Sequence, residues 1–195
     1  MGKILSVTYN NQVDNFEFKR IKPTGQCGYT SACMLLSYFV PEAGNDVFLG
    51  TFVEEMDKDF IAGKSNTRMG ASLPNYVKMI NTYLKKHNVH KECKIRPHSG
   101  SHAEIQNIID SGSPLMVSTM MTTSGHYICI IGYDDQNYIV HDPFGIYSWT
   151  SKTYVKIGGN NGKQVSYPIA GLQAAMERSS RVAMSRNGFR YLWVE

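Results

Sequence analysis

The chain has 195 residues, of which 42% are hydrophobic, and a formal net charge of +4 at pH 7. This length suffices for one sizeable hydrophobic core but is cramped for two, so we expect a single domain over residues 1–195. No stretch approaches 18 uninterrupted apolar residues, which excludes an integral membrane protein of the helical type.

The charge distribution and the first residues argue against two further classes of protein. The basic residues are scattered, as is typical of solvated faces, and no nucleic-acid recognition motif is present, so we expect no nucleic-acid partner. The segment MGKILSVTYNNQ lacks the long apolar stretch and the small-residue cleavage site of a secretory signal. The sequence therefore predicts synthesis in the cytoplasm without a signal peptide.

The first half of the chain is predicted to be mainly helical. A helix is predicted over residues 28–40; the run from Ala32 to Val40 is apolar nearly all round, which places this helix in a core, and Pro41 ends it. A second helix is predicted over residues 46–60. Ser72 is predicted to cap a third helix, and an S-x-x-E capping box beginning at Ser101 opens a fourth.

From residue 114 the pattern changes from helix to strand periodicity. Short runs rich in Val, Ile and Tyr predict strands over residues 114–120, 125–133 and 137–143. Residues 153–167 look like a further hairpin, a helix is predicted from Pro168 to about Arg178, and FRYLWVE closes the chain as a strand. This order predicts an α+β fold, with a helical N-terminal half packed on a mostly antiparallel sheet.

The four cysteines do not form a metal site or a disulfide framework. None belongs to a C-x-x-C pair, and no histidine lies at zinc-ligand spacing from a cysteine pair, so we expect no metal. Cys33 and Cys129 lie in apolar segments, where a free cysteine acts as a small hydrophobic residue. Cys27 is different, because it lies between two glycines in GQCG at the start of a helix.

The position of Cys27 suits a nucleophile. A thiol at a helix N-terminus feels unsatisfied N–H groups and the positive end of the helix dipole, which favour the reactive thiolate. The flanking glycines, Gly25 and Gly28, would let a substrate carbonyl approach, and the Cys27 N–H could donate to an oxyanion. The alternative is a buried cysteine that merely starts a helix between flexible residues.

A histidine and an aspartate in GHYICIIGYDDQNYIVHDPFG complete the candidate site. If the chain turns near Asp134 and Asp135, the two strands pair and His126 falls opposite residues 142–144. Asp142 can then accept the ring N–H of His126 and hold its tautomer. Cys27, His126 and Asp142 would be nucleophile, base and orienting acid, whereas a half-exposed edge histidine is the alternative.

These motifs resemble those of a known family. GQCGYTSACMLL and the later GHYICIIGYDDQNYIVHDPFG are similar to the bacteriocin-processing (double-glycine leader) peptidase family of papain-like cysteine hydrolases. The positions that match its motifs are Cys27, Gly28, Ser31, Met34, His126, Tyr127, Asp142 and Pro143. The resemblance implies a papain-like fold, catalysis by Cys27, His126 and Asp142, and no cofactor.

The end of the chain and the stretch before the cysteine resemble one branch of that family. GKQVSYPIAGLQAAM, NGFRYLWVE and the earlier KPTG are similar to stand-alone, endolysin-like enzymes of phages and bacteria that lyse cell walls. The resemblance implies hydrolysis of a peptide or amide bond, with peptidoglycan as the favoured substrate and a monomeric enzyme. Action on the wall after release during phage lysis is a hypothesis that follows from it.

One departure from the family pattern leaves two other functions open. The family usually carries a glutamine a few residues before the cysteine, to complete the oxyanion hole, but residues 20–25 contain none. Gln26, the distant Gln12 or a backbone N–H could serve instead. The first alternative is an acyltransferase or deamidase with the same three residues. The second is a non-catalytic binding or virion protein that retains the scaffold.

Overall fold

The protein is described here as a computed structural model, which covers residues 2–184 and 188–195. The helices of the described residues are α1 (Cys27–Ser37), α2 (Asp46–Ile61), α3 (Leu73–Lys86), α4 (His102–Asp110) and α5 (Ile169–Met184). Each helix predicted from the sequence is present. The main difference in length is at α5, which continues past Arg178. No helix among these residues is both long and apolar enough to span a bilayer.

The predicted helix caps are only partly confirmed. The Ser101 side chain accepts a hydrogen bond from the Glu104 N–H at 3.2 Å, as predicted for a capping box. The Glu104 carboxylate, however, accepts from the Arg96 guanidinium instead of reaching back to Ser101. The Ser72 side chain makes no capping hydrogen bond, so α3 is started by Pro74, whose ring presets the helical φ angle.

The described residues contain nine strands, and seven of them form one antiparallel sheet. They are β1 (Lys3–Ile4), β2 (Cys93–Gly100), β3 (Leu115–Thr119), β4 (His126–Tyr133), β5 (Asn137–His141), β6 (Gly145–Ser148), β7 (Thr153–Ile157), β8 (Val165–Pro168) and β9 (Phe189–Val194). The sheet runs in the order β2-β9-β3-β4-β5-β8, and β1 also pairs with β4, beyond the end of β3. In the described part of the chain, β6 and β7 form a separate two-stranded ribbon.

The predicted hairpin over residues 153–167 is wrong. Strand β7 pairs with β6, and β8 pairs with β5, so the two halves of that segment belong to different sheets. Gly158 and Gly159 have φ angles of 72° and 54°, and they turn the chain after β7 away from the direction of a simple hairpin. The glycine-rich segment thus correctly predicted a turn after β7, but it did not indicate which strand pairs with β8.

Three strands were not predicted from the sequence, namely β1, β2 and β6, and β6 is only four residues long. Strand β1 is only two residues long. Strand β2 contains Pro97 and three basic residues, which hides its strand character, but it is an edge strand that pairs only with β9. A proline is tolerated at an edge because its missing N–H interrupts no ladder on the solvent side.

Strands β3 and β4 are buried along nearly all of their length. Helix α1 packs against β4, and α5 packs against β3 and β9. Covered strands of this kind read as continuous apolar runs, which is the pattern of LMV in β3 and ICII in β4. The start of β4 is therefore held rigidly next to the start of α1.

Strand β4 carries a bulge. Cys129 pairs with His141 and Ile130 with Val140, but Gly132 pairs with Ile139, so Ile131 is an extra residue on β4. The carbonyl of Ile131 is not left unsatisfied, because it accepts the Leu5 N–H at 2.8 Å. The chain just after β1 thus completes the hydrogen bonds of the bulge.

Candidate active site

Cys27 is the first residue of α1 and is partly exposed, whereas Cys33, Cys93 and Cys129 are buried. It lines a cleft of about 570 Å³. A short 3-10 turn over Pro23–Gly25 leads into the helix and directs the helix N-terminus at the cleft. The first N–H groups of the helix have no partner within it, so they are available to a thiolate or an oxyanion.

Helix α1 is fixed behind Cys27 by close packing. Every residue from Gly28 to Ser37 is buried. A Cβ atom at Gly28 would lie 2.2 Å from the hydroxyl of Tyr76, so only glycine allows Tyr76 to pack there. Gly28 also lines the cleft, so it leaves room both for Tyr76 and on the side where the sequence predicts the approach of a substrate carbonyl.

His126 joins Cys27 to Asp142. It is buried at the first position of β4, and its Nε2 donates to Asp142 Oδ1 at 2.8 Å. The other ring nitrogen, Nδ1, is then left for Cys27, which lines the same cleft and whose pKa the hydrogen bond and charge of His126 lower. The structure thus brings together the three residues that were selected from the sequence.

Asp142 is held by more groups than the sequence analysis foresaw. Its Oδ1 also accepts the Phe144 N–H at 3.0 Å, and its Oδ2 accepts the hydroxyls of Tyr154 and Tyr167, both at 2.9 Å. Its backbone N–H donates to the carbonyl of Gly162 at 2.9 Å. All lone pairs of the buried carboxylate are occupied, so its orientation toward His126 is fixed.

The two tyrosines act as donors to Asp142. Burial raises the pKa of both phenols, Tyr154 and Tyr167, and the nearby Asp142 charge raises it further. Both hydroxyls therefore stay protonated across the physiological range. They lie on β7 and β8, whose pairing was predicted wrongly, so no local signal in the sequence could have connected them with Asp142.

The electrostatics of the site favour a thiolate beside an imidazolium. Burial alone would raise the pKa of Cys27, but the hydrogen bond and charge of His126, the Tyr127 N–H and the charge of Arg68 together lower it. Burial alone would lower the pKa of His126, but Asp142 and Cys27 raise it to about 10. Both shifts keep the charged pair populated at neutral pH.

These shifts predict that one thiol is much more reactive than the others. Iodoacetamide at pH 6 should alkylate Cys27 at least about tenfold faster than Cys33, Cys93 or Cys129, because only the pKa of Cys27 is lowered. Peptide mapping by mass spectrometry measures the four rates. In denaturant the four rates should converge, and uniformly slow labelling of the native protein would refute the assignment of Cys27 as nucleophile.

The other residues considered in the sequence have structural roles. His141 points away from the cleft, with Nε2 donating to the Val7 carbonyl at 3.0 Å and Nδ1 accepting the Gln164 N–H at 3.1 Å. Ser31 Oγ donates to the Tyr127 carbonyl at 3.0 Å and ties α1 to β4. Of the aromatic residues after Asp142, Phe144 lines the cleft.

The two glutamines considered for the oxyanion hole differ in position. Gln26 is fully buried, and its amide donates to the Phe16 carbonyl at 2.8 Å, away from the cleft. Gln12 lines the cleft with Cys27, although it is 15 residues upstream. Its amide nitrogen donates to the carbonyls of Pro23 and Thr24, and its Oε1 is buried without a partner.

Metal-binding chemistry finds no support in the described residues. Within residues 2–184 and 188–195, no group of three or more His, Cys, Asp or Glu side chains is arranged to hold a metal ion. The chemistry that the cleft offers is that of a thiol, an imidazole and a carboxylate.

A comparison with protein families gives a match over most of the chain. The model of the peptidase C39-like family matches residues 4–174. No curated protein matches the chain significantly by sequence. A solved structure of a candidate C39-like peptidase from Bacillus anthracis is similar, with a TM-score of 0.62 and 14% identity over 100% of this chain and 98% of that chain. At this identity the similarity shows a common fold, and it confirms the papain-like α+β fold expected from the sequence.

Two other solved structures are less similar. A double-glycine motif protease from an AMS/PCAT transporter, in complex with the leader peptide, has a TM-score of 0.49 and 14% identity over 98% of this chain and 93% of that chain. The peptidase domain of Streptococcus ComA, a bifunctional ABC transporter involved in a quorum-sensing pathway, has a TM-score of 0.43 and 12% identity over 84% of this chain and 89% of that chain.

Proposed function

The chain belongs to the peptidase C39-like family of cysteine peptidases, and on that premise we propose that it hydrolyses a peptide or amide bond with Cys27, His126 and Asp142. The observation that carries this proposal is the position of His126 between Asp142 and Cys27. One ring nitrogen bonds Asp142 at 2.8 Å, and His126 lines the cleft beside Cys27, where its hydrogen bond and charge lower the pKa of the thiol. A non-catalytic scaffold protein would have no need to keep this buried pair beside a partly exposed thiol.

The arrangement supports an acyl-enzyme mechanism. The Cys27 thiolate attacks the substrate carbonyl, and the His126 imidazolium gives its proton to the leaving amine. Asp142 keeps His126 oriented throughout. Water, deprotonated by the now neutral His126, then attacks the thioester and releases the acid. The mechanism thus combines Cys27 at the start of a helix, His126 at the start of a strand and Asp142 at the end of a hairpin.

The oxyanion of the tetrahedral intermediate is best placed at the helix start. The Cys27 N–H points from the N-terminus of α1, and Gln12 lies on the wall of the same cleft. In the structure the Gln12 amide donates to Pro23 and Thr24, so binding an oxyanion would exchange one of these hydrogen bonds. Gln12 therefore takes the place of the glutamine that the sequence lacks just before Cys27.

We further propose peptidoglycan as the substrate and a single-domain, monomeric, endolysin-like enzyme that reaches the wall after release, as in phage lysis. Support comes from the resemblance of the KPTG stretch and of the tail to stand-alone wall-lytic enzymes. The basic pI of about 8.8 suits attraction to anionic wall polymers.

Digestion of purified peptidoglycan tests this proposal. The protein should release free amino groups without new reducing sugar ends, and mass spectrometry of the fragments should identify one cleaved amide or peptide bond. Adding a competing amine separates hydrolysis from acyl transfer, because an acyltransferase would convert the product into the amide of that amine. New reducing ends, or intact peptidoglycan with an active peptidase on other substrates, would refute the wall substrate.

A further inference from the structure

The cleft around Cys27 has an unusual charge balance. Two arginines, Arg68 and Arg190, line it, whereas none of the described lining residues is an aspartate or a glutamate. Apart from the Cys27 and His126 pair, the remaining described lining residues are uncharged. A cleft lined by charges of one sign raises the local concentration of ligands of the opposite sign, so a cleft with this composition is suited to an anionic ligand.

Arg68 is held rigidly with one donor group unused. Its Nε donates to the Tyr29 hydroxyl at 2.9 Å, and its Nη2 donates to the Gly25 carbonyl. Its Nη1 has no hydrogen bond to a described residue and lies 3.5 Å from the position of a Cβ at Gly25, which also lines the cleft. The guanidinium is thus oriented before any ligand binds.

The nearest carboxylate does not neutralise Arg68 directly. Asp57 is buried, and its oxygens accept the Tyr29 hydroxyl at 2.5 Å and the N–H groups of Met69 and Gly70 at 2.6 and 2.9 Å. Among the described contacts it forms no ion pair with Arg68; Tyr29 bonds both side chains, and the Asp57 charge contributes to raising the pKa of Arg68. Asp57 therefore fixes the loop that carries Arg68, while the positive charge remains available to the cleft.

Arg190 adds a second positive charge to the lining of the cleft. It lies on β9, and its Nε is buried with no hydrogen-bond partner among the described residues. Tyr127, next to His126, feels the charges of both Arg190 and Arg68. A buried N–H without a partner is costly, so an acceptor supplied by a ligand would stabilise this side chain.

We propose that the cleft binds a carboxylate of the substrate between Arg68 and Arg190, so that the enzyme prefers peptides with an acidic group close to the scissile bond. The planar, forked donors of arginine match a carboxylate, and carboxylates are the anionic groups that peptides carry. This inference rests on the proposed peptidase function and adds a preference for an acidic substrate.

Alkylation of Cys27 by a charged and a neutral reagent tests the charge of the cleft without a known substrate. The measured quantity is the rate ratio of iodoacetate to iodoacetamide at Cys27. Both reagents react with the thiolate and lose iodide, so changes in the pKa of Cys27 cancel in the ratio. At low salt, Arg68→Gln and Arg190→Gln should each lower the ratio about five- to tenfold, because one positive charge near the carboxylate is lost.

The controls separate this effect from folding and from His126. Arg178→Gln removes the same charge from an exposed position outside the cleft and should leave the ratio unchanged. Arg68→Lys keeps the charge if Arg68→Gln disturbs the loop, and it should keep most of the ratio. His126 is present in every variant, so its own attraction for iodoacetate is constant. Circular dichroism confirms that each variant is folded.

A matched pair of peptides tests binding of a carboxylate directly. Acetyl-Ala-Glu-Ala-amide and acetyl-Ala-Gln-Ala-amide differ only in one carboxylate, and each is used to protect Cys27 from iodoacetamide. The Glu peptide should protect at a concentration several-fold lower than the Gln peptide, and Arg190→Gln should remove the difference.

The outcomes distinguish this inference from the proposed function. A reactive Cys27 with ratios and protection that do not depend on Arg68 or Arg190 overturns the carboxylate site and leaves the peptidase proposal intact. A Cys27 that resists both reagents overturns the nucleophile, and the carboxylate site with it. Lower ratios in both glutamine variants, together with stronger protection by the Glu peptide, establish the site.

Discussion

Replacing Cys27 with alanine should abolish hydrolysis of the wall, and replacing His126 with alanine should do the same. Without the thiolate no acyl-enzyme forms, and without the imidazole neither the leaving amine nor the attacking water exchanges its proton. Loss of either member of such a unit lowers kcat by about six orders of magnitude in serine hydrolases. The turbidity of Gram-positive or outer-membrane-stripped cells, with the release of amino groups, measures the effect.

Cys33→Ala is the matched control for this experiment. Cys33 is fully buried in the same helix, and burial raises the pKa of its thiol, so it contributes packing but no reactive group. This variant should lyse like the parent. If Cys27→Ala lysed as fast as the parent, the catalytic assignment would be wrong. If the parent were inert on every wall while Cys27 stayed reactive, only the substrate would be wrong.

Asp142→Asn should leave weak activity and change its pH dependence. The substitution keeps the shape of the side chain but removes the charge that raises the pKa of His126 to about 10. By analogy with serine triads, the loss of kcat can reach about four orders of magnitude. The pKa of His126 should fall, so the alkaline limb of the pH profile of kcat/KM should move to lower pH.

Tyr154→Phe provides a graded comparison with Asp142→Asn. It removes one hydrogen bond to Asp142 but keeps the carboxylate, the second tyrosine and the aromatic contact with His126 at 5.7 Å between ring centroids. We expect a loss of about tenfold, as for one buried hydrogen bond, with the alkaline limb nearly unchanged. An Asp142→Asn enzyme with full activity and an unshifted pH profile would remove Asp142 from the mechanism.

The parts of the site that depend on local order were predictable from the sequence. Cys27 was identified because a thiol between glycines at a helix start has no packing explanation. His126 and Asp142 were connected by the turn between two strongly apolar strands, and one hairpin brings them together. Short-range patterns decide each of these features, so the sequence was sufficient.

The parts that depend on contacts between distant segments were not predictable. Tyr154 and Tyr167 reach Asp142 only because β7 and β8 pair with different strands. Gln12 reaches the cleft through a loop, where its backbone N–H donates to the Pro143 carbonyl at 2.8 Å. Arg190 enters through β9, at the other end of the chain. No periodicity or spacing records which distant segments meet.

The bulge at Ile131 decides on which side of the sheet the chemistry takes place. Beyond the bulge Cys129 lies opposite His141, so His126 and Asp142, each an odd number of residues from that pair, share the other face. If Ile131 paired with Val140 instead of bulging, every pair on the Cys129 side would slip by one position, and a slip of one exchanges the two faces of a strand. The chain would keep the same thiol, the same imidazole and nearly the same core, yet the two halves of its proton relay would be on opposite sides of the sheet. One bulged residue thus keeps the imidazole and the carboxylate on the same face of the sheet.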